Sequence, residues 1–150
     1  MPDEEPIEPW RTQRRFPIFY HHLDILNHLN HAAYFQFMET LRVDYYLPFL
    51  HSSNPADLDI IVAEAACRYR LPVKFGEELL GEVAPARPLG RTSFSLLYRF
   101  RTADGKKVVA RGRTVIVCYD YQANAKKEIP SALRGRMEQD AVDPIPEGWV

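Results

Sequence analysis

Residues 20–34 read Tyr-His-His-Leu-Asp-Ile-Leu-Asn-His-Leu-Asn-His-Ala-Ala-Tyr, and this stretch joins two apolar segments of different period. Upstream, the alternation of Phe16, Ile18 and Tyr20 predicts a strand over residues 14–22. Downstream, apolar side chains recur at i, i+3, i+4, i+7 and i+11 and predict a helix over residues 31–49. These side chains are Tyr34, Phe37, Met38, Leu41 and Tyr45. Asn27 and Asn30 precede the helix and carry oxygens that can cap it, so the stretch is a strand-to-helix junction.

After the helix, the pattern changes to that of β-strands. Strands are predicted over residues 60–73, 78–86, 92–101 and 107–119, and a short closing helix over 131–139. The Asp104-Gly105 pair between the last two strands is a strong hairpin signal.

Tight hairpins imply an antiparallel sheet, and the apolar stripe of the long helix must be buried against that sheet. The predicted fold class is therefore α+β, with a curled antiparallel sheet of about five strands wrapped around one long central helix. Since one helix does not cover every sheet edge, we expect at least a dimer joined along a strand edge.

Length and composition bound the class of protein. The chain has 150 residues, which fits one domain, and its net charge of −1 argues against a strongly basic nucleic-acid-binding module. Cys67 and Cys118 form no CxxC pair, so we expect neither a disulfide framework nor a cysteine zinc site, and we expect a cytoplasmic, reducing location. No stretch reaches the roughly 18 apolar residues of a membrane span, and we expect no signal peptide, because residues 1–10 are acidic and rich in proline.

Both ends of the chain are acidic and contain prolines. Residues 1–10 hold three prolines and four acidic residues, and residues 138–150 hold two prolines and four acidic residues. This composition is typical of tails on a domain surface. We therefore expect a single folded domain over residues 11–137 between two tails.

The junction also concentrates groups that can carry chemistry. It holds Asp24, two asparagines and four of the five histidines of the chain. Asp24 can act as a nucleophile or base, or it can simply order the turn. The histidines, which are His21, His22, His28 and His31, lack an HxxxH or cysteine set, so we expect no metal site and assign His28 to positioning the turn. Asn30 is expected to cap the helix and, secondarily, to line a pocket.

The junction and the helix resemble the signature of hotdog-fold thioesterases of the 4-hydroxybenzoyl-CoA thioesterase-like family. That pattern is roughly Asp-x-Asp-x-x-Gly-His-Val-Asn-Asn, a short gap, Tyr, and then Glu-x-x-Arg. Here it reads His22-Leu-Asp24-Ile-Leu-Asn27-His28-Leu29-Asn30-His31-Ala-Ala-Tyr34, followed by Glu39-Thr-Leu-Arg42. His22, Asn27 and His31 replace the first Asp, the Gly and the last Asn of the pattern.

The resemblance continues in order through four later motifs and spans residues 14–137. These motifs are Tyr69-Arg-Leu-Pro72-Val-Lys-Phe-Gly76, Leu89-Gly90-Arg91-Thr92-Ser93-Phe94, Ala110-Arg-Gly112-Arg-Thr114 and Ile129-Pro130-Ser-Ala-Leu133-Arg134.

The resemblance implies a hotdog fold and an acyl-CoA thioesterase that hydrolyses a thioester to a free acid and coenzyme A, without a cofactor or metal. It implies Asp24 as nucleophile or general base and the backbone N–H of His31 as the oxyanion donor. The candidate substrate-binding residues are Asn30, Tyr34, Arg91 and Ser93, and the secondary candidates are His28 and Glu39. As i, i+3 neighbours, Glu39 and Arg42 are more consistent with a helix-surface ion pair than with a second pocket carboxylate.

Alternative functions remain at this stage. A hotdog domain can be a non-catalytic binding or scaffold protein, or can act on acyl carrier protein. Hotdog hydratases carry Asp-x-Asn-Pro-x-His, whereas this chain has Leu29 at the position of that His and no Pro.

Charge along the sequence suggests where coenzyme A would bind. Residues 87–136 contain twelve Lys and Arg against three acidic residues, an excess of nine that can form a basic rim for phosphates, with Arg91 as the first candidate. The expected partners are an acyl-CoA or acyl carrier protein and a second copy of the chain in a dimer or dimer-based tetramer. We expect no nucleic acid.

Overall fold

The structure is a computed structural model that describes residues 8–49 and 59–143. In chain order the elements are β1 (Thr12–Pro17), a 3-10 turn (Tyr20–His22), α1 (His31–Tyr46), a 3-10 turn (Leu47–Phe49), β2 (Ile60–Tyr69), β3 (Glu78–Ala86), β4 (Ser93–Thr102), β5 (Val108–Asp120), β6 (Ala125–Lys126) and α2 (Ser131–Asp140).

The strands form one antiparallel sheet in the order β1-β3-β4-β5-β2, with the two-residue β6 paired to β5. The predicted Asp104-Gly105 hairpin is confirmed, because β4 and β5 are adjacent and antiparallel on either side of it. Gly105 has a φ of 74° and donates its N–H to the carbonyl of Thr102 at 2.7 Å. The left-handed conformation explains the glycine at this position.

Helix α1 lies across one face of the sheet and buries the predicted apolar stripe. The stripe residues Tyr34, Phe37, Met38, Leu41 and Tyr45 are all buried. A Cβ at Gly112 of β5 would lie 2.7 Å from the Met38 sulfur, and a Cβ at Gly81 of β3 would lie 2.6 Å from the Phe16 ring. Met38 and Phe16 therefore pack directly against the sheet backbone at these two glycines. This arrangement confirms the predicted α+β class, a curled sheet around one long helix.

Several element ends differ from the sequence prediction. Strand β1 ends at Pro17 instead of residue 22, and the chain turns through the Tyr20–His22 3-10 segment. Strand β2 ends at Tyr69 instead of residue 73, since Arg70 and Leu71 both donate to the carbonyl of Val109 and Pro72 has no N–H to continue the ladder. Helix α1 ends at Tyr46 before Pro48, and the predicted last turn is a 3-10 segment.

Residues at both ends of the domain contact the sheet. Trp10 packs on Ala86 and Leu97. The Arg99 guanidinium lies 4.4 Å from the centre of the Trp10 ring. Helix α2 continues to Asp140, past the expected tail boundary at residue 138, and Val142 then pairs with Ala86. The tail predictions for 1–7 and 144–150 concern residues outside those that the structure describes. None of the helices in the described residues is long and apolar enough to span a membrane.

Candidate active site

The loop between β1 and α1 is organised by the carboxylate of Asp24. Its Oδ1 atom accepts hydrogen bonds from the backbone N–H groups of Leu26 at 2.8 Å and His28 at 3.2 Å. The backbone of Asp24 also pairs with this loop, since its N–H donates to the carbonyl of His28 and its carbonyl accepts from Asn27. Asn27 has a φ of 59°, a left-handed conformation that asparagine tolerates. It can therefore replace the glycine of the family pattern.

The second carboxylate oxygen of Asp24 is available for chemistry. Among the described residues, Oδ2 has no hydrogen-bond partner. Asp24 lines a pocket of about 270 Å³. The full lining consists of Asp24, His28, Leu29, His31, Tyr34, Tyr69, Arg70, Leu71, Pro72 and Val73. One oxygen of the carboxylate thus holds the loop, and the other has no partner among the described residues.

The first turn of α1 supplies a hydrogen-bond donor at the same pocket. Asn30 is the cap predicted from the sequence, since its Oδ1 accepts from the N–H of Ala32 at 2.9 Å and its carbonyl accepts from Ala33 at 3.0 Å. The N–H of His31 has no acceptor among the described residues, as expected for the first residue of a helix. His31 lines the pocket, where the helix dipole favours negative charge. Asn30 itself is not among the lining residues.

Two tyrosines, Tyr34 and Tyr69, also line the pocket. The Tyr34 ring is buried and packs against the Tyr69 ring at 5.1 Å between centroids. Burial raises the pKa of Tyr34 well above its ordinary value, so its hydroxyl stays protonated at neutral pH. The Tyr69 hydroxyl donates to the carbonyl of His31 at 3.1 Å, and its pKa is raised to about 12, mainly by burial. Tyr69 was not predicted as a site residue, because in sequence it lies inside a predicted strand over residues 60–73 with no sign that the strand ends there, beside the helix.

The histidines of the junction have separate roles. His28 lines the pocket, whereas the Nδ1 atom of His22 accepts the N–H of Phe19 at 3.0 Å and closes the 3-10 turn. The pKa of His22 is lowered, first by burial and then by the neighbouring His21. Among the described residues, no three His, Cys, Asp or Glu side chains are grouped so that they could hold a metal ion.

Glu39 and Arg42 do not form the ion pair that their spacing favours. Glu39 is exposed and does not line the pocket. Arg42 instead reaches the hydroxyl of Tyr98 at 3.5 Å on the sheet. The described ion pairs include none between these two side chains.

Arg91 and Ser93 lie at the other end of the fold. Ser93 is opposite Val117 in β5, and Val117 is opposite Ile61 at the start of β2, whereas the pocket lies beyond Tyr69 at the end of that strand. Eight residues of β2 separate the two ends, which is roughly 27 Å at 3.4 Å per residue. Arg91 is exposed and pairs with Glu128 at 3.3 Å. Within one chain the structure therefore does not bring these two candidates to Asp24.

Comparison with known proteins agrees with the topology. The sequence profile of the Thioesterase-like superfamily matches residues 20–137. The chain is similar to a solved thioesterase from Thermus thermophilus complexed with coenzyme A and zinc, with 24% identity, 89% of this chain and 96% of that chain covered, and a TM-score of 0.77.

Two further solved structures share the fold. The PA5185 protein of Pseudomonas aeruginosa is 22% identical, with 91% and 95% of the two chains covered and a TM-score of 0.79. The probable thioesterase YbaW of Escherichia coli is 24% identical, with 87% and 98% covered and a TM-score of 0.70. No protein of curated function matches the sequence significantly. The structural similarities support the hotdog fold, and the profile match covers the junction and the pocket.

Proposed function

We propose that this protein cleaves an acyl-CoA thioester to a free acid and coenzyme A. The chain belongs to the thioesterase-like superfamily, so its class of reaction is thioester hydrolysis. One observation carries the proposal. Asp24 keeps one carboxylate oxygen without a described partner in the pocket that is also lined by His31, the first residue of α1. A nucleophile or base and an oxyanion donor are the two groups that thioester hydrolysis needs.

In the proposed reaction, the thioester carbonyl oxygen accepts a hydrogen bond from the N–H of His31. The Oδ2 atom of Asp24 either attacks the carbonyl carbon or removes a proton from a water molecule that attacks it. Both routes give a tetrahedral intermediate whose negative oxygen stays beside the helix N-terminus. Collapse breaks the C–S bond, and the thiolate of coenzyme A leaves and takes up a proton. In the direct route, water then hydrolyses the mixed anhydride on Asp24.

The test is thiol release from short, long and aromatic acyl-CoAs by the wild type and by Asp24→Asn. The asparagine keeps the size of the side chain and an oxygen for the loop N–H groups but removes the charge. We expect thiol release to fall by about 10²-fold or more, with the fold unchanged by circular dichroism.

Asp120→Asn is a matched control for this change. The Oδ1 atom of Asp120 also accepts two backbone N–H groups, from Gln122 at 2.9 Å and Ala123 at 3.0 Å, but Asp120 does not line the pocket. We expect this variant to keep wild-type activity. Thiol release by Asp24→Asn at the rate of Asp120→Asn would remove Asp24 from the mechanism, and absence of thiol release from every wild-type reaction would refute the acyl-CoA proposal.

We further propose that a second copy of the chain pairs along β2. This strand is the last in the sheet order, and Ile61 and Val62 on it are exposed large apolar residues. Antiparallel pairing of two β2 strands about a two-fold axis puts the Ile60 end of one beside the Tyr69 end of the other. The Arg91 and Ser93 end of the second copy would then approach the Asp24 pocket of the first.

Light scattering on the wild type and on Ala65→Pro tests this pairing, since proline removes an N–H from the strand. We expect a dimer for the wild type and a monomer for the variant. A wild-type chain that is monomeric at micromolar concentration would contradict the proposed pairing.

A further inference from the structure

Two opposite charges line the candidate pocket without forming an ion pair. Arg70 lines the same pocket as Asp24, and it is exposed. Among the described residues, Arg70 forms no ion pair with Asp24 or with any other carboxylate. A molecule that fills the pocket therefore meets both a carboxylate and a guanidinium that no protein carboxylate neutralises.

The surroundings of Arg70 do not supply the missing negative charge. Its backbone N–H donates to the carbonyl of Val109 at 2.8 Å, which holds the residue just beyond the end of β2. The pKa of Arg111 is lowered, first by burial and then by the charge of Arg70, so Arg70 lies near another cation. The carboxylates of Glu77 and Glu78 border a separate cavity of about 660 Å³ rather than this pocket. An anion bound in the pocket would interact favourably with Arg70.

The hydroxyl of Tyr34 is a second group without a partner in the pocket. Tyr34 is only 3% exposed, lines the pocket, and makes no hydrogen bond through its hydroxyl to any described residue. Burial raises its pKa well above the ordinary value, so the hydroxyl keeps its proton and can donate at neutral pH. Buried polar side chains in folded proteins are almost always hydrogen-bonded. An unpartnered donor that lines a pocket therefore indicates an acceptor on the ligand.

The size of the pocket limits the group that these donors recognise. Its volume of about 270 Å³ lies below the range of roughly 300–1,000 Å³ that is typical of pockets for drug-sized ligands. The proposed reaction already places the thioester carbonyl beside Asp24 and the N–H of His31. The space that remains suits a short acyl group. A carboxylate at its far end is an acceptor with negative charge, which complements a tyrosine hydroxyl and a guanidinium.

We propose that the acyl group of the substrate ends in a carboxylate, which accepts hydrogen bonds from Arg70 and Tyr34 while the thioester lies beside Asp24. The substrate class is then that of short dicarboxylic acids linked to the thiol through one carboxyl group. Hydrolysis gives the free dicarboxylate and the thiol. This inference rests on the proposed function and names the substrate class of the same site.

Two thioesters of similar shape test the inference. Glutaryl-CoA carries the terminal carboxylate, and 5-methylhexanoyl-CoA carries an isopropyl group in its place. Thiol release is measured for both, with the uncatalysed rate subtracted. We expect kcat/KM of the wild type to be about tenfold or more higher for glutaryl-CoA, because an exposed arginine discriminates less than a fully buried polar site. An equal or higher kcat/KM for 5-methylhexanoyl-CoA would overturn the substrate class.

Substitutions then assign the preference to its residues. Arg70→Gln removes the charge, Arg70→Lys keeps it, and Tyr34→Phe removes the hydroxyl but keeps the ring. Lys74→Gln is the matched control, since Lys74 is an exposed cation on the adjacent loop that does not line the pocket. We expect the preference for glutaryl-CoA to fall about tenfold in Arg70→Gln and severalfold in Tyr34→Phe, and to persist in part in Arg70→Lys. An equal fall in Arg70→Gln and Lys74→Gln would overturn the proposal by showing a general effect of charge.

Thioesters of pantetheine separate a carboxylate from the phosphates of coenzyme A, because pantetheine carries no phosphate. Glutaryl-pantetheine and 5-methylhexanoyl-pantetheine are compared in the wild type and in Arg70→Gln. We expect the fall in preference to be as large as it is with the coenzyme A thioesters. A fall that is seen only with coenzyme A would assign Arg70 to the phosphates and overturn the carboxylate site.

A thioether gives a readout that does not depend on catalysis. S-(4-carboxybutyl)pantetheine keeps the carboxylate but has a methylene group in place of the thioester carbonyl, so it cannot be hydrolysed. By calorimetry we expect its Kd to rise about tenfold in Arg70→Gln and to stay at the wild-type value in Lys74→Gln, and equal affinity in all three proteins would overturn the site. Hydrolysis of 5-methylhexanoyl-CoA without hydrolysis of glutaryl-CoA would leave the proposed function in place and refute the inference. If no thioester is hydrolysed, the proposed function fails, and the titration still decides whether Arg70 binds a carboxylate.

Discussion

Glu82 is a fully buried carboxylate that pairs with two arginines, and Glu82→Gln is expected to destabilise the protein strongly. The carboxylate has no exposed surface and accepts from Arg99 at 2.7 Å, from Arg101 at 2.7 and 3.1 Å, and from the N–H of Trp10 at 3.0 Å. The Arg101 side chain is only 6% exposed, so removing the negative charge leaves a buried guanidinium without compensation. Breaking a buried pair in this way costs about 3–5 kcal/mol.

The matched control is Glu78→Gln on the same strand. Glu78 pairs with Arg15 at 3.0 Å, but the two side chains are 40% and 54% exposed, and exposed pairs contribute about 1 kcal/mol or less. Urea unfolding followed by fluorescence gives both free energies of unfolding. At roughly 2–4 °C per kcal/mol, Glu82→Gln should also lower Tm by about 6–20 °C. Partial recovery of stability in Glu82→Gln with Arg101→Met would support the reasoning, since the more deeply buried of the two guanidinium charges is then gone. A loss in Glu82→Gln no larger than in Glu78→Gln would refute it.

Three other changes test the loop, the core and the titration of the junction. Asn27→Val should lower the free energy of unfolding by about 1–2 kcal/mol, because the φ of 59° at this position is unfavourable for most L-residues. Asn27→Gly should leave it unchanged, and urea unfolding of both variants measures the difference. Leu41→Ala removes a fully buried side chain of α1 and should cost about 2–5 kcal/mol of unfolding free energy in the same assay. The lowered pKa of His22 means that the unfolded chain binds more protons near pH 6.5, so this contribution to stability is present above that pH and is lost as pH falls. His22→Gln should reduce the slope of Tm against pH in this range.

Local patterns in the sequence predicted the helices and strands. The features that the sequence analysis missed depend on contacts between distant elements. The apolar spacing from Tyr34 to Tyr45 and the Asp104-Gly105 turn each involve residues that are close together in sequence. Both predictions, the buried helix stripe and the hairpin, are confirmed. Arg68, Arg111 and Arg99 lie opposite one another only through the register of three strands, which their separation in sequence hides. The two-residue β6 is too short for any periodicity to show.

The placement of candidate site residues follows the same division. Asn30 and Asp24 lie within seven residues of each other, and local rules for caps and turns suffice for them. Arg91 was assigned to phosphate binding from charge along the sequence, which contains no information on distance from Asp24 across the sheet. Arg70 has the same charge and lines the pocket, because β2 ends beside the first turn of α1. Its position at the pocket depends on topology rather than on composition.

In the proposed mechanism, the three departures from the family pattern leave the required groups in place, because Asn27 and His31 act through the backbone and His22 only accepts a backbone N–H. Asn27 adopts the left-handed conformation for which the pattern uses glycine. His22 accepts a backbone N–H through Nδ1, a role that the oxygen of an aspartate at this position can also fill. His31 replaces an asparagine side chain, yet the group assigned to catalysis is its N–H, which every residue except proline supplies. The side chain whose own charge the proposed mechanism needs is Asp24, and it is the one that the sequence retains.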